Sequence, residues 1–508
     1  MLTGLDKIKQ DKLDKLKNIR SKGINPYPAS SNRDSSLVFV QQSFDELVRL
    51  KKEVSIAGRV MAKREHGSLT FCVLSDGTEK LQLFLKKDKI GDEDYSFFID
   101  NIEVGDFVDA KGVLFITKRG ERSLEIATYK ILGKSLLPLP EKWHGLVDVD
   151  ERYRKRYLDI LMDEDVKNKF IKRSKIIKSI REFLDKEGFL EVETPILQTL
   201  AGGALAKPFE TRLNALKLDL YLRVAPELYL KRLLVGGFER VYEIGRCFRN
   251  EGMDATHNPD FTMLECYVAY QDYNYIMDMT EKMLEFIIKN INDGSLEIEY
   301  GKEDGKKEKL NFKSPYPRVE FNKLLKDYTG IDYDSLSEDE LFKKAKELGV
   351  DVKNGSNKGK IADEIYKDLV RPKIRQPIFI INHPIELSPL AKKMESNSMK
   401  VERCQLVVAG FEVTNAFSEL NDPQDQFERF KEQEKNAEKG DEETQKMDMD
   451  FIEALEYGMP PAAGIGIGIE RLTALLTNSH HLREVILFPT MRPKREDKNS
   501  MPSNGNLI

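Results

Sequence analysis

The chain has 508 residues, 40% of them hydrophobic and 33% charged, with a formal net charge of −5. That length allows roughly two to four domains, and this composition describes a soluble globular protein and excludes a disordered one. Four scattered cysteines (Cys72, Cys247, Cys266, Cys404), with no CxxC and only six histidines, argue against a disulfide framework or a structural zinc site and predict a reducing compartment.

The opening MLTGLDKIKQDKLDKLKNIR has neither the apolar run of a signal peptide nor the acid-poor composition of a transit segment. No stretch approaches the roughly 20 apolar residues of a membrane span, so a soluble, cytoplasmic protein with no membrane partner is expected. The segment predicts a helix in which seven basic side chains between Asp6 and Lys22 accompany three acidic ones. Such a bias suits a phosphate backbone and equally a solvated face. GINPYPASSNRDSS follows as a loop.

Five short alternating stretches come next: VSIAGRVMAKRE, LTFCVLSDG, EKLQLFLKK, DFVDAKGVLFIT and SLEIATYKILG. Separated by Gly and Asp turns, they predict a small closed barrel of the oligonucleotide-binding type. Exposed rings on such barrels stack on single-stranded bases, and Phe71 and Phe84 are available, with Lys63, Arg64 and Gln82 nearby. Alternation alone places Phe71 in the core.

LLPLPEKWHGLVDVDERYRKRYLDI reads as a linker entering a helix. In KIIKSIREFLDKEGFLEVETPIL, the positions Ile176, Ile177, Ile180, Phe183 and Leu184 share a helical face, Gly188 stops the helix, and FLEVETP reads as a strand ended by Pro195. Two strands between Arg240 and Tyr270 are joined by NEGMDATHNP. Residues of about 330–375 read as a helical insertion, QLVVAGFEVTNAFSELND returns to strand, DQFERFKEQEKNAEKGDEE reads as a charged, exposed helix, and AAGIGIGIERLTALLT as a strand entering a helix. The expected organisation is a helix and linker over 1–50, the barrel over 51–135, a linker over 136–165, a larger domain over 166–495 and a tail over 496–508.

Three stretches carry chemistry. In GRCFRNEGMDATHNPDFTMLECY, period-two alternation puts Phe261, Glu265 and Tyr267 on one face, and Arg249 and Glu251 share a face if the first strand extends that far. A guanidinium fork fits phosphate, an aromatic face fits a purine, and Glu251 can accept from an exocyclic amine. In GIGIGIERLTALL, the alternating Gly464, Gly466 and Gly468 remove every Cβ from one strand face, so that something flat can lie there, and Arg471 sits near a helix N-terminus. Neither GxGxxG nor a P-loop occurs. The third is a supply of carboxylates among apolar neighbours, Glu227, Glu265, Glu412 and Glu419. Acidic groups in such surroundings require a cation, which is a metal, a substrate ammonium, or both.

FRNEG…HNPDFTMLE, GIGIGIERL and FLEVETPIL together resemble the three signature motifs of class II aminoacyl-tRNA synthetases, and the preceding barrel resembles the subclass of lysyl, aspartyl and asparaginyl enzymes. GGALAKPF, APELYLKRLLVGGFERVYEIGR, SPLAKK, NAFSELNDP and ILFPTMRP resemble the lysyl branch. The resemblance implies an α+β fold, the barrel followed by an antiparallel sheet flanked by helices. It implies activation of L-lysine by ATP with Mg2+, transfer of the lysyl group to tRNA(Lys), and a homodimer with Pro195 at its interface. Carried onto this chain, it implies ATP contacts at Arg249, Glu251, His257, Asn258, Phe261, Glu412, Gly468 and Arg471, of which Arg249, Glu251 and Arg471 are catalytic. The implied lysine site is Gly203, Glu227, Arg249, Glu265, Tyr267, Asn415, Phe417 and Glu419, with the ε-ammonium at Glu265, Glu419 and Tyr267. Lys63, Arg64, Phe71 and Gln82 would meet the anticodon, which outweighs the core expectation for Phe71.

Glu412 is the implied metal ligand, but Gln405 stands where the family commonly has a second glutamate, and a neutral amide is the weaker ligand for a hard ion. Phe417 replaces a tyrosine of some relatives, and Glu470 an aspartate. An aspartyl or asparaginyl enzyme is disfavoured by the acidic pocket, and a non-catalytic nucleic-acid-binding protein by the set Arg249, Glu251 and Arg471.

Overall fold

The computed structural model describes residues 4–140, 146–204, 206–301, 305–353, 355–438 and 446–493. The expected tail over 496–508 lies outside the described residues. The chain folds as two compact units, Met1–Asp163 and Glu164–Ile508.

In the first unit five strands (Glu53–His66, Leu69–Ser75, Lys80–Lys86, Phe107–Ile116, Arg122–Gly133) close into a barrel in the order first, second, third, fifth, fourth. Closure removes the unpaired edges that an open sheet of this size would expose. Alternation fills the interior with Cys72, Leu74, Leu81, Leu83 and Leu85, each no more than 2% exposed. Thr70 and Cys72 take the inward positions of the second strand, so Phe71 lies on the outer face, contrary to the core expectation from alternation. The helix Asp92–Asn101, which the strand pattern did not announce, adds Phe97 and Phe98 to the core. The N-terminal helix Gly4–Ser21 adds Ile19 and buries Leu16.

The second unit is built on eight strands in the order Arg318–Glu320, Ile378–Ile381, Arg403–Val408, Phe411–Ser418, Ala462–Gly468, Asp260–Ala269, Arg240–Phe248, Leu190–Glu191. The inner pairings are antiparallel and the pairing at each edge is parallel. The sheet is therefore mixed, and the expected antiparallel arrangement holds for its interior. The strand expected over FLEVETP shrinks to Leu190–Glu191. Beyond it, Thr194 turns both its N–H and its hydroxyl to the Glu243 carboxylate, which takes the chain out of the ladder.

Helices Glu164–Lys186 and Tyr273–Ile291 cover one face of the sheet, where Ile176, Ile180, Met283 and Ile287 meet Leu264, Cys266, Ile465 and Ile467. Each side chain of this size contributes about 1.5–3 kcal/mol on burial. Alternation then sends Phe261, Met263, Glu265 and Tyr267 to the opposite face. The insertion forms helices Glu338–Glu347 and Lys358–Ile365, whose Leu341, Ile361 and Ile365 pack with Ile380 and Val407 of the sheet. Helix Pro423–Glu438 is charged but not wholly exposed: Phe430 is fully buried, and Arg429 donates to the carbonyls of Ser388 and Ala391.

Candidate active site

The face of the large sheet opposite helices Glu164–Lys186 and Tyr273–Ile291 carries a cavity of about 360 Å³. Three adjacent strands lay out its floor in rows. Tyr267, Gly464 and Phe417 form one row across them, and Glu265, Gly466 and Asn415 the next. The intervening residues, Cys266, Ile465 and Ala416, face the helices and hold the floor in place. The alternate glycines do admit something flat, and at Gly464 it is the protein's own ring: a Cβ there would lie 2.3 Å from Tyr267 Cε1 and 2.5 Å from Glu419 Oε1. At Gly466 and Gly468 the nearest atoms stand at 3.7 Å or more, and the floor stays open.

One end of the cavity is anionic and closed. Glu227, Glu265 and Glu419 are 6%, 4% and 1% exposed. Tyr267 donates its hydroxyl to Glu265 Oε2 at 3.0 Å. Glu227 is the first residue of helix Glu227–Val235, and one turn later the fully buried Lys231 places its ammonium 2.7 Å from Glu227 Oε1 and in an ion pair with Glu419. Burial, and then the Glu227 charge, push Glu265 up to about 8 against the pulls of Tyr267, Arg249 and Lys231. Burial likewise pushes Glu419 up to about 8, with Lys231 opposing and the neighbouring carboxylates adding. Gly203 adopts φ +89°, a conformation that favours glycine, and lies against the Cβ atoms of Glu227 and Ala225.

The other end is cationic and more open. The first strand does not extend to Arg249 and Glu251: it ends at Phe248, so these two stand in the following loop and the condition for a shared strand face is not met. Arg249 is nonetheless fixed: its N–H donates to the Pro259 carbonyl at 2.8 Å, and its guanidinium lies 5.0 Å from the centre of the Phe261 ring. Its buried Nε finds no protein acceptor, and the buried Asn258 Oδ1 no protein donor. Arg471, in the first turn of helix Ile469–Leu476, stands 3.4 Å from His257 Nε2. Burial holds the Arg471 guanidinium below its ordinary value, with Glu412 opposing and Arg249 and Arg371 adding. Glu251, Gly468 and Glu412 also line the cavity. Gln405 does not: it is buried with its amide oxygen 3.3 Å from Nε2 of His383, whose ring burial keeps neutral.

Sequence reasoning missed Lys231, Arg403 and Arg371. Lys231 had a legible signal in APELYLK, a glutamate and a lysine four apart on a helix. Arg403 lines the cavity and donates to Asn415 Oδ1 at 2.8 Å. Its position two residues before Gln405 on a strand gave only a face.

On the barrel, Arg64 pairs across the strands with Phe71, and Phe71 with Phe84. The Phe71 and Phe84 rings lie 5.0 Å apart and Phe115 continues the row at 5.5 Å from Phe84. Gln82, on the same face as Phe84, donates to Ser123 Oγ at 2.8 Å. Lys63 points to the other face, where its ammonium donates to the carbonyls of Ile99 and Ile102 at the end of helix Asp92–Asn101.

A protein-family profile described as tRNA synthetases class II (D, K and N) matches residues 148–492. The chain belongs to this class II synthetase family. An OB-fold nucleic acid binding domain profile matches residues 54–132, the barrel of this synthetase. The chain is 47% identical to the lysine–tRNA ligase of Carboxydothermus hydrogenoformans over 96% of its own length and 99% of that protein's. It is 48% identical to the lysine–tRNA ligase of Moorella thermoacetica (96% and 98%) and 45% identical to that of Halalkalibacterium halodurans (97% and 98%). Among the described residues, no helix of this synthetase is long and apolar enough to cross a membrane.

Proposed function

We propose that this chain joins L-lysine to ATP, forming lysyl-adenylate and pyrophosphate, and passes the lysyl group to the terminal ribose of tRNA(Lys), supporting translation in the cytoplasm. The observation that carries this function is a set of three buried carboxylates, Glu227 and Glu265 lining one end of a cavity and Glu419 against its floor at Gly464, with Arg249 and Arg471 at the other end. An aspartate or asparagine pocket has no use for that many acids. The similarity to lysine–tRNA ligases along nearly the whole chain supports the same substrate.

In this mechanism Arg249 holds the lysine carboxylate beside the α-phosphate of ATP. A carboxylate oxygen attacks the α-phosphorus, and the bond to the leaving pyrophosphate oxygen breaks as the new P–O bond forms. The nucleophile is already an anion, so no general base is needed; the work is positioning and charge stabilisation by Arg249 and Arg471. Phe261 stacks on the purine, Glu251, His257 and Asn258 hold the nucleotide, and Gly468 leaves room beneath it. Gly203, Asn415 and Phe417 shape the lysine site between Glu227 and the ε-ammonium partners Glu265, Glu419 and Tyr267. In the second step a ribose hydroxyl attacks the lysyl carbonyl and AMP leaves.

Among the described residues no three His, Cys, Asp or Glu side chains cluster as a metal site. Of the two positions expected to hold the metal, only Glu412 turns a carboxylate to the cavity, since Gln405 turns to His383. That donor set fits a magnesium ion carried mainly by phosphate oxygens, the usual mode for this ion. Bound there, magnesium neutralises triphosphate charge. Arg64, Phe71 and Gln82 are proposed to meet the anticodon, while Lys63 supports the barrel. A homodimer is supported by the exposed apolar residues Leu190, on an edge strand of the large sheet, and Ile196 and Leu197, which follow it in sequence.

The test is amino-acid-dependent exchange of labelled pyrophosphate into ATP, followed by charging of tRNA(Lys). Exchange confined to lysine is expected. Exchange driven by aspartate or asparagine would assign the chain to a sister specificity, and none with any amino acid would remove the adenylating function.

A further inference from the structure

Glu227 and Glu265 line the closed end of the cavity and the buried Glu419 lies against Gly464 of its floor, yet lysine brings only two ammonium groups to these three carboxylates. Its own carboxylate pairs with Arg249 in the proposed mechanism. One negative charge is left over, and the side chain that meets it is Lys231. We propose that Lys231 is a resident counter-ion and positioning residue that sets the charge of the amino-acid pocket. It neutralises one of three buried acids, so that two remain for the two ammonium groups of a diamino acid. This rests on the lysine-activating function proposed above.

The geometry is specific. Lys231 is 0% exposed and reaches both Glu227 and Glu419 from a helix that begins at Glu227. The rings of Phe417 and Phe451 lie 5.2 and 6.0 Å from its ammonium, and both offer faces in place of competing charge. The titratable groups around it are Glu227 on its own helix, Glu419 just beyond strand Phe411–Ser418, and Glu265 and Tyr267 on strand Asp260–Ala269. Arg249 bears on Glu265 from the loop side. Burial pulls the Lys231 ammonium down, but Glu227 and Glu419 together outweigh it and keep the group charged. An isolated buried ammonium would lose its proton, so the pairing is what makes this lysine a fixed charge.

Two consequences separate this role from simple packing. With Lys231 in place, Glu265 and Glu419 lose protons as pH rises toward about 8, and lysine binding tightens over that interval. Without it the pocket holds one carboxylate in excess of the substrate's ammonium groups. Without the Lys231 charge the three acids hold their protons more tightly, lysine must displace more of them to bind, and its affinity is lower and climbs more steeply with pH.

Lysine binding to the full-length protein, without ATP, is measured by calorimetry across that pH range for wild type, Lys231→Met and Lys231→Arg, with ATP binding as control. Lys231→Met is expected to bind lysine at least about tenfold more weakly near neutral pH and to show a steeper rise with pH, because the acids left without their resident cation hold protons that lysine must displace. Lys231→Arg restores the wild-type slope, and ATP affinity is the same in all three. Lys231→Met with wild-type affinity and slope overturns the proposal. Should the variants fail to fold, the Lys231 Nζ nitrogen resonance of the wild-type protein decides: a slowly exchanging ammonium signal with and without lysine is expected, and an amine signal overturns the role. Wild-type protein that binds no lysine at any pH instead removes the lysine function on which the proposal stands.

Discussion

At the guanidinium end of the cavity His257 keeps 51% of its side chain exposed beside Arg471, whereas at the carboxylate end Glu227, Glu265, Glu419 and Lys231 are all 6% exposed or less. The difference follows from what each end must wait for. An arginine stays protonated whether or not a phosphate is present, so a cationic end can stand open to water. Carboxylates buried without a cation are strongly disfavoured, so the anionic end needs a resident lysine and partial protonation while it is empty. The open end is poised to capture, and the closed end to discriminate.

The largest effect is expected where charge develops during the reaction. Arg249→Ala should lower kcat/KM for pyrophosphate exchange by about 100- to 1,000-fold, the usual consequence of removing one such donor. Circular dichroism should be unchanged, because Arg249 lies in a loop anchored by its backbone N–H. A loss below about tenfold would mean that the open end merely binds, and the contrast between the ends would collapse.

Next come the discriminating acids. Glu265→Gln and Glu419→Gln each weaken a charged hydrogen bond of about 1.5–3 kcal/mol, which corresponds to a rise of about 10- to 150-fold in KM for lysine. The KM for ATP should stay near wild type. If both constants move together, the two ends are not separable.

A smaller effect sharpens the same contrast through pH. Glu265 and Glu419 lie at about 8 in the folded chain against an ordinary value of 4.5. The native state therefore keeps protons that the unfolded chain has released. The stability these groups contribute is full below about pH 4.5 and is lost as pH rises through about 8. Bound lysine cancels that loss by supplying ammonium partners. The increase in Tm produced by saturating lysine should therefore grow between about pH 6 and pH 8. An increase independent of pH would show that the carboxylates are ionised in the free protein.

What was legible in the sequence divides along similar lines. The barrel strands and the helix ending at Gly188 announced themselves through alternation and periodicity, because one face of each is buried and the other is not. Glu265 and Tyr267 were placed on one face by the same rule. Alternation gave the period for Phe71 but not the phase, since Thr70 could take the inward position by bonding to Tyr95. Whether the strand reached Arg249 stayed open in the sequence, because the pattern does not tell an extended loop from a paired strand, and the strand ends one residue earlier. Lys231 was passed over although its spacing from Glu227 was visible; that Glu419 joins the pair depends on a contact between residues 188 positions apart.

The smallest expected effect lies in the N-terminal helix, where cations are again either committed or free. Lys12 and Lys15 pair with Glu103, Leu16 is buried, and Ile19 belongs to the barrel core, so deleting the helix would damage the barrel along with any tRNA contact. Lys7, Lys9 and Arg20 are exposed and can be changed without touching that core. Replacing all three with Ala should leave Tm and pyrophosphate exchange as in wild type. Binding to tRNA(Lys) should weaken only a fewfold near physiological salt, while the slope of log affinity against log salt falls by about 1 for each cation that touches a phosphate. An unchanged slope would mean that the helix serves the barrel alone and that its basic face is solvated. A changed slope with unchanged exchange would place the nucleic-acid contact in the first unit and the chemistry in the second.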